Sequence, residues 1–186
     1  MMGATTSMAK LGWLGTVLLT RLSRPATDRA VYWHVLRHTP RRILELGLGT
    51  LVRTERLLRL ATRSAQGEIR YVGLDRFEGR DPGDPPGVSL KQAHRMLHAL
   101  GRVQLVPGNV DSSLARLCNQ LGQFDLVLVS ADNDERYLER SWFFIQRLVS
   151  AETTVLVENG ASGPWQVLPR ATLEKRAASA VLKRVG

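Results

Sequence analysis

Cysteine, lysine and aromatic residues are all scarce in this chain, and each shortage removes a class of protein. A lone cysteine, Cys118, forbids an intramolecular disulfide and leaves no cysteine cluster for zinc, so a reducing, cytoplasmic setting is expected. No apolar stretch approaches the roughly 20 residues that a membrane-spanning helix needs. Residues 11–19, after Lys10, are apolar but short, and no small-residue cleavage site precedes Arg21. They read as an amphipathic helix packed on a core, neither leader nor membrane span. Four lysines stand against 22 arginines, so the formal charge of +9 is almost wholly guanidinium. The arginines are spread along helical segments and do not form a run. A solvated basic surface is the expected meaning, with RNA contact the lesser option. Because the guanidinium fork fits a carboxylate, some of these arginines should pair with acidic neighbours.

What remains is a folded-protein composition, 44% hydrophobic and 23% charged over 186 residues, which suits one domain with a substantial core. Apolar strand-like runs at residues 43–46, 69–74, 102–106, 124–130 and 153–157 alternate with helical patterns at 55–65, 90–100, 112–121 and 135–148. That alternation predicts a doubly wound, mainly parallel α/β sheet of Rossmann type over residues 41–186. Residues 1–40 form an N-terminal helical segment, with helices over 8–22 and 28–38. Thr27 or Asp28 is placed to cap the second of these and Pro40 to stop it. After Pro164, residues 165–183 read as one basic helix, with a short final strand at 180–185 as a further option. The C-terminal end thus looks shortened, leaving a sheet edge for a helix or a second copy of the chain, a homodimer, to cover.

The whole pattern is organised around Glu45-Leu46-Gly47-Leu48-Gly49-Thr50, where an apolar strand meets two glycines and then a helix. Glycines let the backbone turn sharply and let a ligand approach main-chain N–H groups at a helix N-terminus. A dinucleotide fingerprint wants a third glycine at position 52, and Val52 stands there, which disfavours NAD. The next strand ends at Asp75, one βα unit later. A carboxylate at that tip can accept hydrogen bonds from both ribose hydroxyls of a nucleoside. The most apolar strand, 124–130, runs into the polar Ala131-Asp132-Asn133-Asp134. Two histidine pairs, His34 with His38 and His94 with His98, lie one turn apart, and both read as packed or solvated helix residues.

The Glu45-to-Thr50 stretch resembles motif I of the class I S-adenosylmethionine-dependent methyltransferases, although Leu51 takes the place of that motif's third glycine. Gly73-Leu74-Asp75-Arg76-Phe77-Glu78-Gly79 is similar to a segment of the macrocin-type O-methyltransferases. The stretch from Ser130 to Tyr137 resembles the metal-dependent enzymes related to caffeoyl-CoA and catechol O-methyltransferases. The resemblance implies that Glu45, Gly47, Gly49 and Thr50 surround the methionine end of the cofactor, and that Asp75, Arg76 and Phe77 serve the ribose. It further implies that Asn109 and Val110 meet the adenine and that Ser130 lies beside the cofactor. Asp132 is the candidate base, with Asp134 as its substitute. Ser130 stands where the metal-dependent enzymes have their first metal-binding Asp and is a poor ligand for a hard cation. A divalent cation, if bound, would have Asp132, Glu158 and Asn159 to hold it. No Asn-Pro-Pro-Tyr segment follows the fourth strand, which points away from amino-directed methylation. The resulting expectation is S-adenosylmethionine-dependent O-methylation of a small-molecule acceptor. The alternatives are a non-catalytic binding protein of this fold and an RNA methyltransferase using its basic surface.

Overall fold

In a computed structural model that describes residues 13–160 and 163–185, the chain opens with helix α1 (Trp13–Val17), continued by a π-helical turn over Leu18–Leu22. The start of the helix expected over 8–22 lies outside the described residues. Helix α2 (Arg29–His38) then leads into β1 (Arg42–Leu46), α3 (Val52–Ser64), β2 (Arg70–Asp75), α4 (Leu90–Leu97) and β3 (Arg102–Pro107). The second half follows as α5 (Val110–Leu121), β4 (Phe124–Val129), α6 (Glu135–Arg147), β5 (Val149–Glu158), β6 (Trp165–Val167) and α7 (Arg170–Val185). Among the described residues there is one six-stranded sheet, in the order β3-β2-β1-β4-β5-β6. All neighbours are parallel except β6, which runs antiparallel to β5.

The sheet is apolar on both faces, as a parallel sheet covered by crossover helices must be. Successive residues of a strand point to opposite sides, and the two cores divide accordingly. Ile43, Tyr71, Leu126 and Leu128 pack with Val31 and Val35 of α2, Leu57 and Leu58 of α3 and Leu97 of α4. On the other face Leu44, Leu46, Val72 and Val127 pack with Leu114 of α5, Trp142 and Ile145 of α6 and Leu173 of α7.

The chain winds outward from β1 through β2 to β3, then crosses back to place β4 on the far side of β1. The strand order therefore reverses between β1 and β4. Ligands of open α/β sheets bind outside the carboxyl ends of the strands at such a switch point.

Three expectations are corrected. Residues 165–183 are not one helix, because Trp165, Gln166 and Val167 pair with Glu158, Val157 and Leu156 before α7 begins. No strand closes the chain at 180–185 either, since α7 runs through Val185. Asp28 sits at the N-cap of α2 but makes no side-chain cap there. Its carboxylate accepts the indole N–H of Trp165 at 3.3 Å instead, tying α2 to β6.

Candidate functional site

At the tip of β1 the chain turns through three left-handed residues, Gly47 (φ 83°), Gly49 (φ 58°) and Leu51 (φ 67°). The first two need to be glycine for a second reason. A Cβ on Gly47 would lie 2.9 Å from the side-chain nitrogen of Asn133, and one on Gly49 would lie 2.8 Å from a carboxylate oxygen of Asp132. Leu51 accepts the backbone cost because its side chain is fully buried in the core shared with α2 and α3. It does not enter the hollow above the strands.

Asp75 closes the neighbouring strand against this turn. Its Oδ2 accepts the backbone N–H of Leu48 at 2.7 Å and of Gly49 at 3.2 Å, and its Oδ1 accepts that of Phe77 at 2.8 Å. The tips of β1 and β2 thus converge through direct hydrogen bonds. Arg80 adds a forked ion pair, with Nη2 2.9 Å from Oδ1 and 2.7 Å from Oδ2. A second arginine beside it, Arg76, pairs with Asp84 at 2.5 Å and Asp81 at 3.3 Å.

Gly47, Asp75, Arg76, Arg80, Asn109, Val110, Asp132, Asn133 and Asp134 share the wall of one hollow at these tips. Its free volume is about 20 Å³, room for about one water molecule. Asp132 is partly buried there. Burial pushes its carboxyl above the usual range, Glu158 and Asp75 add to the rise, and Arg53 and Arg80 oppose it. Asp134 differs. It caps α6 by accepting the N–H of Arg136 and pairs with that residue's guanidinium at 2.7 Å, which holds its carboxyl below the usual range. Of the two, Asp132 is the better placed to take a proton.

The remaining sequence candidates lie outside this wall. Glu45 is wholly buried behind the glycine turn, where its two oxygens accept Arg53 Nε (2.9 Å), Thr54 Oγ1 (2.9 Å) and Tyr71 OH (2.7 Å). Gly49 bonds Asp75 without lining the hollow, Thr50 is exposed and Phe77 is buried. Ser130 donates to Glu158 at 2.8 Å, and the same Glu158 oxygen accepts the N–H of Ala131 at 3.1 Å. Asn159 is exposed, and among the described residues no group of three or more His, Cys, Asp and Glu is arranged to hold a metal ion. His34 and His38 lie with Arg41 and Asp125 at the opposite end of the strands. His94 of α4 and His98, just past its end, are exposed and stack on one another.

Three residues that sequence reasoning passed over organise the site. Arg53 bonds Glu45, donates to the carbonyl of Gly47 at 2.8 Å, lies 4.0 Å from Glu158 and stacks 4.8 Å over Trp165. It links the tips of β1 and β5 to β6. Asn133 donates to the carbonyls of Leu46 and Ser130, fixing the tip of β4 against that of β1. Arg80 covers Asp75. Only position hints at the first: Arg53 stands four residues after Gly49, in a helix where Arg56, Arg59 and Arg63 look the same.

No protein-family model matches the sequence, and no curated protein matches it. Solved structures do. The O-methyltransferase TomG from Streptomyces achromogenes, involved in tomaymycin synthesis and solved with S-adenosylmethionine, aligns over 90% of this chain and 76% of its own, at 16% identity and a TM-score of 0.56. The O-methyltransferase from Bacillus cereus, solved with S-adenosylhomocysteine, aligns over 74% of this chain at 19% identity and a TM-score of 0.54. The chain has the class I methyltransferase fold. An O-methyltransferase family protein from Burkholderia thailandensis aligns over 89% of it at 17% identity and a TM-score of 0.52. Within this methyltransferase fold the chain spans 57% of the length of the Bacillus protein and 52% of the Burkholderia protein. No described helix is long and apolar enough to cross a membrane.

The site's donor set suits S-adenosylmethionine. Gly47 and Gly49 form a cradle that a Cβ would fill, and Asp75, now held by Arg80, places a carboxylate at the tip of the second strand beside Asn109 and Val110.

Proposed function

We propose that the protein is an S-adenosylmethionine-dependent methyltransferase that methylates an oxygen of a small-molecule acceptor. The observation that carries this reading is the convergence of the Gly47–Gly49 turn and Asp75 on one hollow, joined by the Leu48 and Gly49 N–H bonds to Asp75.

When bound, S-adenosylmethionine supplies an electrophilic methyl group for in-line displacement. Asp75 would accept the ribose hydroxyls, Asn109 and Val110 would meet the adenine, and the glycine turn, free of Cβ atoms, would lie against the methionine end. Arg53 and Glu45 act from behind by holding the Gly47 carbonyl and the turn in place. Asp132 is the proposed proton acceptor for the acceptor hydroxyl. Its raised carboxyl is closer to the working pH than an ordinary Asp, which favours proton transfer. The main contribution of the protein is alignment and exclusion of water. Asp132 and Glu158 share the same tip region, but Glu158 already accepts Ser130 and Ala131, so no step is assigned to a cation. The lone, buried Cys118 agrees with a reducing, cytoplasmic setting.

Calorimetry with S-adenosylmethionine tests the reading. Binding in the wild type that is lost in Asp75→Ala is expected. Binding indifferent to Asp75→Ala sinks it, as does an absence of binding at millimolar cofactor both in the wild type and in a variant freed of the Arg80 guanidinium. One observation favours a second reading, a non-catalytic protein of this fold: Arg80 already holds the carboxylate that a ribose needs.

A further inference from the structure

Resting on that reading, we propose that residues 80–88 are an autoinhibitory strap, in which the Arg80 guanidinium occupies the ribose seat on Asp75 and must be displaced for a nucleoside cofactor to bind. The argument begins with the capacity of a carboxylate, whose two oxygens offer about four lone-pair sites. Asp75 already receives three backbone N–H groups and the forked Nη2 of Arg80. Nothing is left for a ribose diol. The three N–H donors belong to turns that the fold itself sets, so the one donor able to leave is Arg80.

The strap is built to hold that guanidinium in place and to release it. Arg80 Nη1 donates to the carbonyl of Pro85 at 3.0 Å, and Gly87 packs so closely on the Arg80 side chain that a Cβ there would overlap it. Arg76 grips the strap through Asp81 and Asp84, and Glu78 accepts the N–H of Leu90 at its far end. Between Gly79 and Leu90 no regular element forms, so movement of the strap breaks no helix or strand. The Nε of Arg80 is buried without a hydrogen-bond partner. The latched guanidinium therefore forgoes a bond that water would supply on release.

The consequence is a binding equilibrium reduced by the latched population. An apparent dissociation constant equals the intrinsic one divided by the competent fraction, so a latch closed in about nine molecules of ten weakens binding roughly tenfold. Titration calorimetry with S-adenosylhomocysteine on wild type, R80A and D75A tests this. R80A is expected to bind at least about tenfold tighter than wild type and D75A not at all. Asp75 keeps three N–H donors in R80A, so the turn stays satisfied. If R80A does not fold, R80Q supplies the same comparison. Hydrogen exchange gives a second readout: the hydrogen-bonded amides of Asp81 and Asp84 should exchange faster when ligand is added to wild type. Wild-type binding that R80A leaves unchanged or weakens overturns the strap while the methyltransferase reading stands. Failure of both wild type and R80A to bind overturns the methyltransferase reading, and the strap with it.

Discussion

His34 shows how a single side chain can set a pH response at the end of the sheet opposite the glycine turn. It is partly buried and stacks on His38 with ring centroids 4.4 Å apart. Burial, with a smaller push from His38, lowers its pKa from 6.5 to about 4. The unfolded chain then binds more protons than the native one between pH 4 and 6.5, so stability rises with pH across that window and falls as pH drops through it. Denaturation midpoints measured from pH 4 to 7 should show that slope, and His34→Gln should flatten it. The turn at Gly47 and Gly49 and the strand-ending place of Asp75 were legible at this scale, because glycines after an apolar run mark a sharp turn and an acid ends the next run. Arg80 was not. Nothing in a chain with 22 arginines marks the one whose guanidinium folds back five residues onto Asp75. Glu45 carried the right motif position, yet the three donors that enclose it come from α3 and β2, and only the folded chain brings them together.

The β1–α3 turn is where local propensity and packing compete most openly. A left-handed backbone costs a non-glycine residue about 1 to 2 kcal/mol. Truncating a buried Leu to Ala alone costs about 2 to 5 kcal/mol. Packing outweighs strain over most of these ranges, so Leu51→Gly should restore the three-glycine pattern and still destabilise the protein, by up to about 4 kcal/mol, read from the denaturation midpoint at unchanged slope. Element existence was largely readable because central parallel strands are nearly continuous apolar runs. The strand expected at 124–130 appears at Phe124–Val129, with only Asp125 exposed. The short β6 escaped because three residues carry too little periodicity to be told from the start of the basic helix that follows. Its place is secured by Trp165, which is 6% exposed beneath Arg53 and bonded to Asp28.

At the scale of the whole molecule, the two cores lie on opposite faces of the sheet, and at the switch point between β1 and β4 the charged side chains of Arg53 from α3 and Glu158 from β5 come together beside Trp165 of β6. A ligand seated there is held by several elements at once and should stabilise the fold by mass action. At a hundredfold excess over its dissociation constant, S-adenosylhomocysteine contributes about 2.7 kcal/mol. For a domain of this size that corresponds to a melting-temperature rise of roughly 5 to 10 °C, measurable by differential scanning fluorimetry. The arginine count foretold a basic exterior, and several of these residues are instead internal fasteners: Arg53, Arg76 and Arg80 each have side chains less than a fifth exposed. The Asp75 cluster also carries its own spectroscopic label. Because the amide protons of Leu48, Gly49 and Phe77 rest on one carboxylate, their resonances in a nitrogen-correlated NMR spectrum form a three-peak reporter of whatever else that carboxylate holds.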